Sequence, residues 1–142
     1  MNKGINKSTG DWIILINSGD FLINKNILKE MSENLKDISA ETNVVYGQIM
    51  LFTEKGKKLF KLGQPWEKIK KRFINVMSIP HPAVFHRRKL FLKNGLFDET
   101  FKIAGDYEIL LKEFKKNEPI YFPIIITGMR QGGVSNQSQQ AL

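Results

Sequence analysis

The feature that most narrows the fold is an unbroken apolar run, Trp12-Ile13-Ile14-Leu15-Ile16, that stops at Asn17-Ser18-Gly19-Asp20. The run is continuously apolar and rich in β-branched residues, which predicts a strand buried on both faces rather than an alternating, half-exposed one. The four residues after it are turn formers. A helix is then predicted over residues 26–37, with Ile27, Leu28, Met31 and Leu35 along one face.

The rest of the chain keeps the same alternation. Residues 44–52 read as a strand, and the charged Glu54-Lys55-Gly56-Lys57 as a hairpin-like turn into residues 58–62. Pro65 stands where a helix can begin, with Trp66, Ile69 and Phe73 at helical spacing. Pro80-His81-Pro82 breaks the chain before a short strand at 83–85 and a helix over 88–94, which Gly95 closes. Gly105-Asp106 opens a helix whose stripe is Tyr107, Leu110, Leu111 and Phe114. The last strand, 120–127, contains Pro123, which argues for an edge position or a bulge. Strands alternating with helices predict an α/β fold with a mixed sheet flanked by helices. At 142 residues and 42% hydrophobic, the chain is long and apolar enough for one core. We expect a single domain over residues 1–134 and a polar, frayed tail over 135–142.

Several function classes fall away. There is no cysteine, which removes a disulfide framework, a zinc ribbon and thiol catalysis and fits a reducing compartment. The longest strongly apolar stretch near the start is five residues, against ~20 for a spanning helix, so a soluble, cytoplasmic protein is expected. Neither the Walker nor the dinucleotide glycine motif occurs, and Gly132-Gly133-Val134-Ser135 has no helix after it. The Gly-x-Ser-x-Gly pattern of serine hydrolases is also absent.

Charge is the next constraint. With 22 Lys+Arg against 14 Asp+Glu the net charge is +8. Eight basic residues lie between Lys55 and Arg72, and Arg87-Arg88-Lys89 forms a second cluster. Such patches attract phosphates or anionic lipid, and they also occur as plain solvated faces. The aromatic residues do not interleave with them as a base-stacking platform would, so nucleic acid is not an expected partner.

Two acidic positions can carry chemistry. Asp20 falls just past the carboxyl end of the first strand, where open α/β sheets bind ligands; it suits a divalent cation or a ribose, or caps the turn. Asp106 opens a helix, as an N-cap or as a general base for a hydroxyl nucleophile. Glu108 points elsewhere on that helix. His81, held between prolines, donates to a phosphate or an acceptor sugar, or is a structural hydrogen-bonder. His86, beside two arginines, reads as a surface residue.

Taken in order, Met1-Asn2-Lys3-Gly4-Ile5, Ser8-Thr9-Gly10-Asp11, Trp12 to Asp20, His81-Pro82-Ala83-Val84-Phe85, Gly95-Leu96-Phe97-Asp98-Glu99, Ile103-Ala104-Gly105-Asp106-Tyr107-Glu108 and Gly132-Gly133-Val134-Ser135 resemble the family 2 glycosyltransferases, nucleotide-sugar enzymes of the GT-A fold. The resemblance implies that Asn17 to Asp20 occupies the Asp-x-Asp region, with Asn17 and Gly19 at positions often held by aspartate, and that Asp20 binds the metal, Mn²⁺ or Mg²⁺. It implies that Asp106 is the catalytic base, with Gly105 in place of the usual glutamate, in an inverting transfer from a nucleotide sugar, a UDP-sugar by preference. Asn17, His81, Gly105 and Arg130 are then the substrate-binding residues. The acceptor is a saccharide or a lipid-linked glycan, which places the protein in the cytoplasm or at the inner membrane face. The match begins at residue 1, so the first part of the nucleotide-binding sheet is expected to be missing. That would leave the partial GT-A fold with an exposed strand edge open to homo-oligomerisation, and a chain weak or inactive alone. The alternative is a non-catalytic polyanion-binding module using residues 55–72.

Overall fold

The computed structural model describes residues 1–100 and 105–132. The expected tail at 135–142, and Ile103, Ala104 and Gly133 to Ser135 of the resemblance, lie outside them. Within the described residues eleven helices and strands and one 3-10 turn build three layers, a mixed sheet with helices on both faces. They run α1 (Asn2–Lys7), β1 (Trp12–Ile14), β2 (Asp20–Leu22), α2 (Ile27–Leu35), β3 (Val44–Phe52), β4 (Lys58–Leu62), α3 (Trp66–Phe73), the 3-10 turn His81–Ala83, β5 (Val84–Arg87), α4 (Arg88–Asn94), α5 (Gly105–Phe114) and β6 (Ile120–Arg130).

The strand order is β1-β5-β3-β6-β2, with β4 also paired to β3. β3 is parallel to β6 and antiparallel to β5 and β4. β6 runs along one edge of β3, so β5 and β4 share the other edge in series, β5 against Val44–Tyr46 and β4 against Ile49–Phe52. β3 is the strand buried on both faces. Val44 and Tyr46 meet α1, α3, α4 and α5 on one side, through Ile5, Ile69, Phe73, Leu90, Ile109 and Leu110. Val45 and Ile49 meet Ile27, Met31 and Leu35 of α2 on the other.

The first strand differs from its expectation. β1 covers only Trp12–Ile14, ends the strand order and is half-buried on either side of Ile13, while Ile16 is exposed. An apolar run signals burial but not by which neighbours, and among the described residues no strand pairs with the outer edge of β1. Pro123 also departs in part: β6 lies inside the sheet between β3 and β2 rather than at its edge. The bulge is present, because register slips between Tyr46↔Tyr121 and Gln48↔Ile125, and Pro123 sits in the slack. Gly47 is opposite, where a Cβ would lie 2.6 Å from the Ile124 carbonyl oxygen.

Other boundaries shift for local reasons. Residues 81–83 form the 3-10 turn, with the Ala83 N–H donating to the Pro80 carbonyl at 2.9 Å, so β5 starts at Val84 and runs to Arg87. Leu28 is exposed and the buried face of α2 is Ile27, Met31 and Leu35. Ile109 joins Leu110 at the centre of the α5 contact. Gly95 ends α4 with φ 82°. The unforeseen α1 is pinned from afar: the Asn2 amide donates to the Phe97 carbonyl at 2.9 Å and accepts from the Phe97 N–H at 3.1 Å.

Candidate active site

β1, β3 and β6 point the same way, and the chain leaves β1 through Asn17–Gly19 at their carboxyl ends. β5 runs the opposite way, so the 3-10 turn that precedes it stands at that same rim. His81 comes from this turn and is buried. Its Nδ1 lies 3.5 Å from Oδ2 of Asp106, in the first turn of α5. The other Asp106 oxygen accepts the Tyr107 N–H at 2.8 Å. Asp106 is about one-quarter exposed, so one side of its carboxylate is open to a ligand. It sits inside the first helical turn rather than at an N-cap, where its charge complements the positive helix end. Glu108 is paired with Lys112 and takes no part.

His81 is enclosed more than expected for a ligand-facing donor. Its Nε2 is buried without a hydrogen-bond partner among the described residues, and Nδ1 faces Asp106. Burial lowers its pKa, and the Asp106 charge opposes this more weakly. A neutral imidazole donating Nδ1–H to the carboxylate satisfies that geometry. His86 corrects the surface reading: it is fully enclosed, its ring 5.3 Å from that of His81 and packed on Phe91 and Phe97. Burial, with His81 as a like-charged neighbour, holds its pKa at about 3. In sequence His86 sits among cations, but strand alternation turns it inward while Arg87 points away.

The second half of the rim is built by β2 and β6. The Asp20 N–H donates to the Asn17 carbonyl at 3.0 Å, and Asp20 pairs with Met129. The Arg130 N–H reaches the Gly19 carbonyl at 3.4 Å, and the exposed guanidinium lies 5.7 Å over the Phe21 ring. The fold thus brings Asn17, Asp20 and Arg130 to one corner, and His81, Gly105 and Asp106 to another. Asp20 shares its strand face with Leu22, which packs toward α2, whereas α5 covers the opposite face. The two carboxylates flank the rim from either side, and among the described residues no hydrogen bond or ion pair joins them.

Asp20 is half-buried, and desolvation raises its carboxyl pKa, with the Asn17 backbone pulling down more weakly. A cation at this carboxylate would relieve that cost. Among the described residues no group of three His, Asp or Glu side chains could cage a metal. An ion at Asp20 would have to take most of its ligands from outside the described residues.

The second basic cluster turns out to be structural. Arg87 Nε donates to the Thr42 carbonyl at 2.9 Å and its guanidinium stacks 4.2 Å over Trp12. Arg88 donates to the Ser8 carbonyl at 3.3 Å, and Lys89 to that of Ala40. Residues 55–72, by contrast, are largely exposed, and among the described residues only Lys70 of their cations is ion-paired, to Glu67 at 2.8 Å and Glu118 at 3.9 Å. No described helix is long and apolar enough to cross a membrane.

No protein-family model matches the chain. Proteins named "PGL/p-HBAD biosynthesis glycosyltransferase" from Mycobacterium bovis (strain BCG / Pasteur 1173P2) and Mycobacterium tuberculosis (strain ATCC 25177 / H37Ra) are each 22% identical to it over 139 residues, 96% of this chain and 52% of theirs. The chain is therefore a distant relative of proteins named as glycosyltransferases, and spans about half the length of the curated relatives it matches.

Proposed function

We propose that this chain carries the metal-binding and acceptor side of a GT-A-like, family 2-like glycosyltransferase, which moves a sugar from a nucleotide-sugar donor to an acceptor hydroxyl. The observation that carries this reading is the His81–Asp106 pair at the carboxyl rim of the sheet, in a chain related to proteins named glycosyltransferases.

In this reading Asp106 takes the proton from the acceptor hydroxyl, whose oxygen attacks the anomeric carbon as the bond to the nucleotide diphosphate breaks. His81 does not touch the sugar. Neutral and enclosed, it fixes the carboxylate through Nδ1 and leaves the outer face of Asp106 to the acceptor. Gly105, buried beside it, adds no side chain to that corner. At the other corner, Arg130 lies on the donor phosphates and Asn17 shapes the turn that presents Asp20. A bound Mn²⁺ or Mg²⁺ held by Asp20 would neutralise charge on the departing diphosphate. The donor is a UDP-sugar in this proposal, and the free edge of β1 pairs with a second copy of the chain.

The test is transfer from labelled nucleotide sugars, read beside thermal unfolding. Asp106→Asn should lower turnover by about 10²–10⁴-fold at nearly unchanged stability. His81→Gln should lower it less and change kcat more than KM. Asp106→Asn turnover equal to the parent would end the reading.

A further inference from the structure

β4 is exposed along its whole length. Among the described residues it pairs only with β3, and no strand lies on its other edge. Three of its five residues are large and apolar: Leu59 is 40% exposed, Phe60 55% and Leu62 41%. Around them stand Lys55, Lys57, Lys58 and Lys61, all exposed and none in an ion pair among the described residues. The tip of the hairpin is hydrogen-bonded within itself. The Thr53 N–H donates to the Lys57 carbonyl at 2.9 Å, the Lys57 N–H to Thr53 Oγ1 at 3.0 Å, and Gly56 takes φ 83°.

Lysines on an edge strand discourage pairing with other chains, and that alone would explain the charge. It does not explain Leu59, Phe60 and Leu62, which make the same edge more adhesive. A polyanion would use the lysines and leave the apolar side chains in water. An apolar protein surface would use those side chains and strip water from four ammonium groups. The lipid interface serves both, because alkyl and aromatic groups enter the acyl boundary while lysines reach the headgroups. Alternation puts Leu59 and Lys61 on one face and Lys58, Phe60 and Leu62 on the other, so each face carries both kinds. Shallow seating also leaves the free backbone groups of β4 among headgroups and water.

We propose that the β3–β4 hairpin is a docking element for an anionic membrane surface, with Phe60, Leu59 and Leu62 as the apolar anchor and Lys55, Lys57, Lys58 and Lys61 on lipid phosphates. The inference stands apart from the transfer reaction. Phe52 pairs with Arg130, so the hairpin projects from the sheet at the rim that holds Asp20.

The experiment is vesicle flotation of the full chain with phosphatidylcholine alone and with phosphatidylglycerol mixed in, at low and high salt. Binding should need the anionic lipid and weaken with salt. Lys57→Gln/Lys58→Gln/Lys61→Gln should cost about 100-fold, at roughly fivefold per lysine, and Phe60→Ser about tenfold. Circular dichroism melting of both variants, altered only at exposed positions, checks that they fold. Equal binding to neutral vesicles, no binding to either, or Phe60→Ser binding like the parent would each overturn the proposal. In the last case a heparin column would show a plain polyanion site.

Discussion

His86 is enclosed on every side, and its pKa of about 3 has a consequence for acid stability. In an unfolded chain the same imidazole titrates near 6.5. The folded value is the lower one, so the stabilisation from a neutral His86 is fully present above pH ~6.5 and drains away as pH falls toward 3. His81 adds in the same direction, since burial also lowers its pKa. Chemical denaturation should therefore show stability falling by about 1.4 kcal/mol per pH unit below pH ~6 from His86, with His81 steepening the fall. His86→Leu should remove one proton from that slope, whatever it does to stability at neutral pH. An unchanged slope would show that His86 is not held neutral.

Glu113 joins elements far apart in the chain. It is buried in α5, and its carboxylate accepts from Asn43 Nδ2 at 2.6 Å, Asn117 Nδ2 at 2.9 Å and Asn94 Nδ2 at 3.0 Å. This ties α5 to the entrance of β3, the end of α4 and the turn before β6. Glu113→Ala leaves three amides without an acceptor and should cost about 3–5 kcal/mol, read by urea unfolding. Glu113→Gln should cost less, because one oxygen can still serve Asn43 and Asn117. No sequence pattern announced this cluster, since Glu113 sits among charged neighbours on a helix with an apolar stripe. The elements themselves were legible. β3, β4 and α3 fall where periodicity and turn chemistry put them, because burial on one face repeats at a fixed spacing. What periodicity lacked was partner identity. It could not say that β1 would end the sheet, that the bulge that proline chemistry allowed at Pro123 would lie inside the sheet opposite Gly47, or that His86 would face inward. Of the candidate site, the sequence named Asp20 and Asp106 as the carboxylates to watch, but spacing gave no hint that His81 and Asp106 would meet.

At the scale of the whole molecule the bare flank of β1 matters most. Beside it, between β1 and α2, lies a groove of about 550 Å³ lined by Trp12, Ile14, Leu28, Ile38, Phe85 and Arg87. Unpaired backbone groups at a strand edge favour pairing between chains, and the groove beside this edge mixes its apolar side chains with Asp11, Ser32 and Lys36. If a second copy fills it, sedimentation should show a concentration-dependent dimer, and Ile14→Lys should shift it toward monomer without lowering the melting temperature by more than a few degrees. A monomer at all concentrations would remove that part of the proposed function. The enclosure of both histidines has a practical side as well. The sequence has only two, and neither exposes more than 7% of its surface. An imidazole-acylating reagent such as diethyl pyrocarbonate therefore reaches the exposed lysines but no imidazole until the core opens, and the rate at which N-carbethoxyhistidine forms becomes a clock for unfolding.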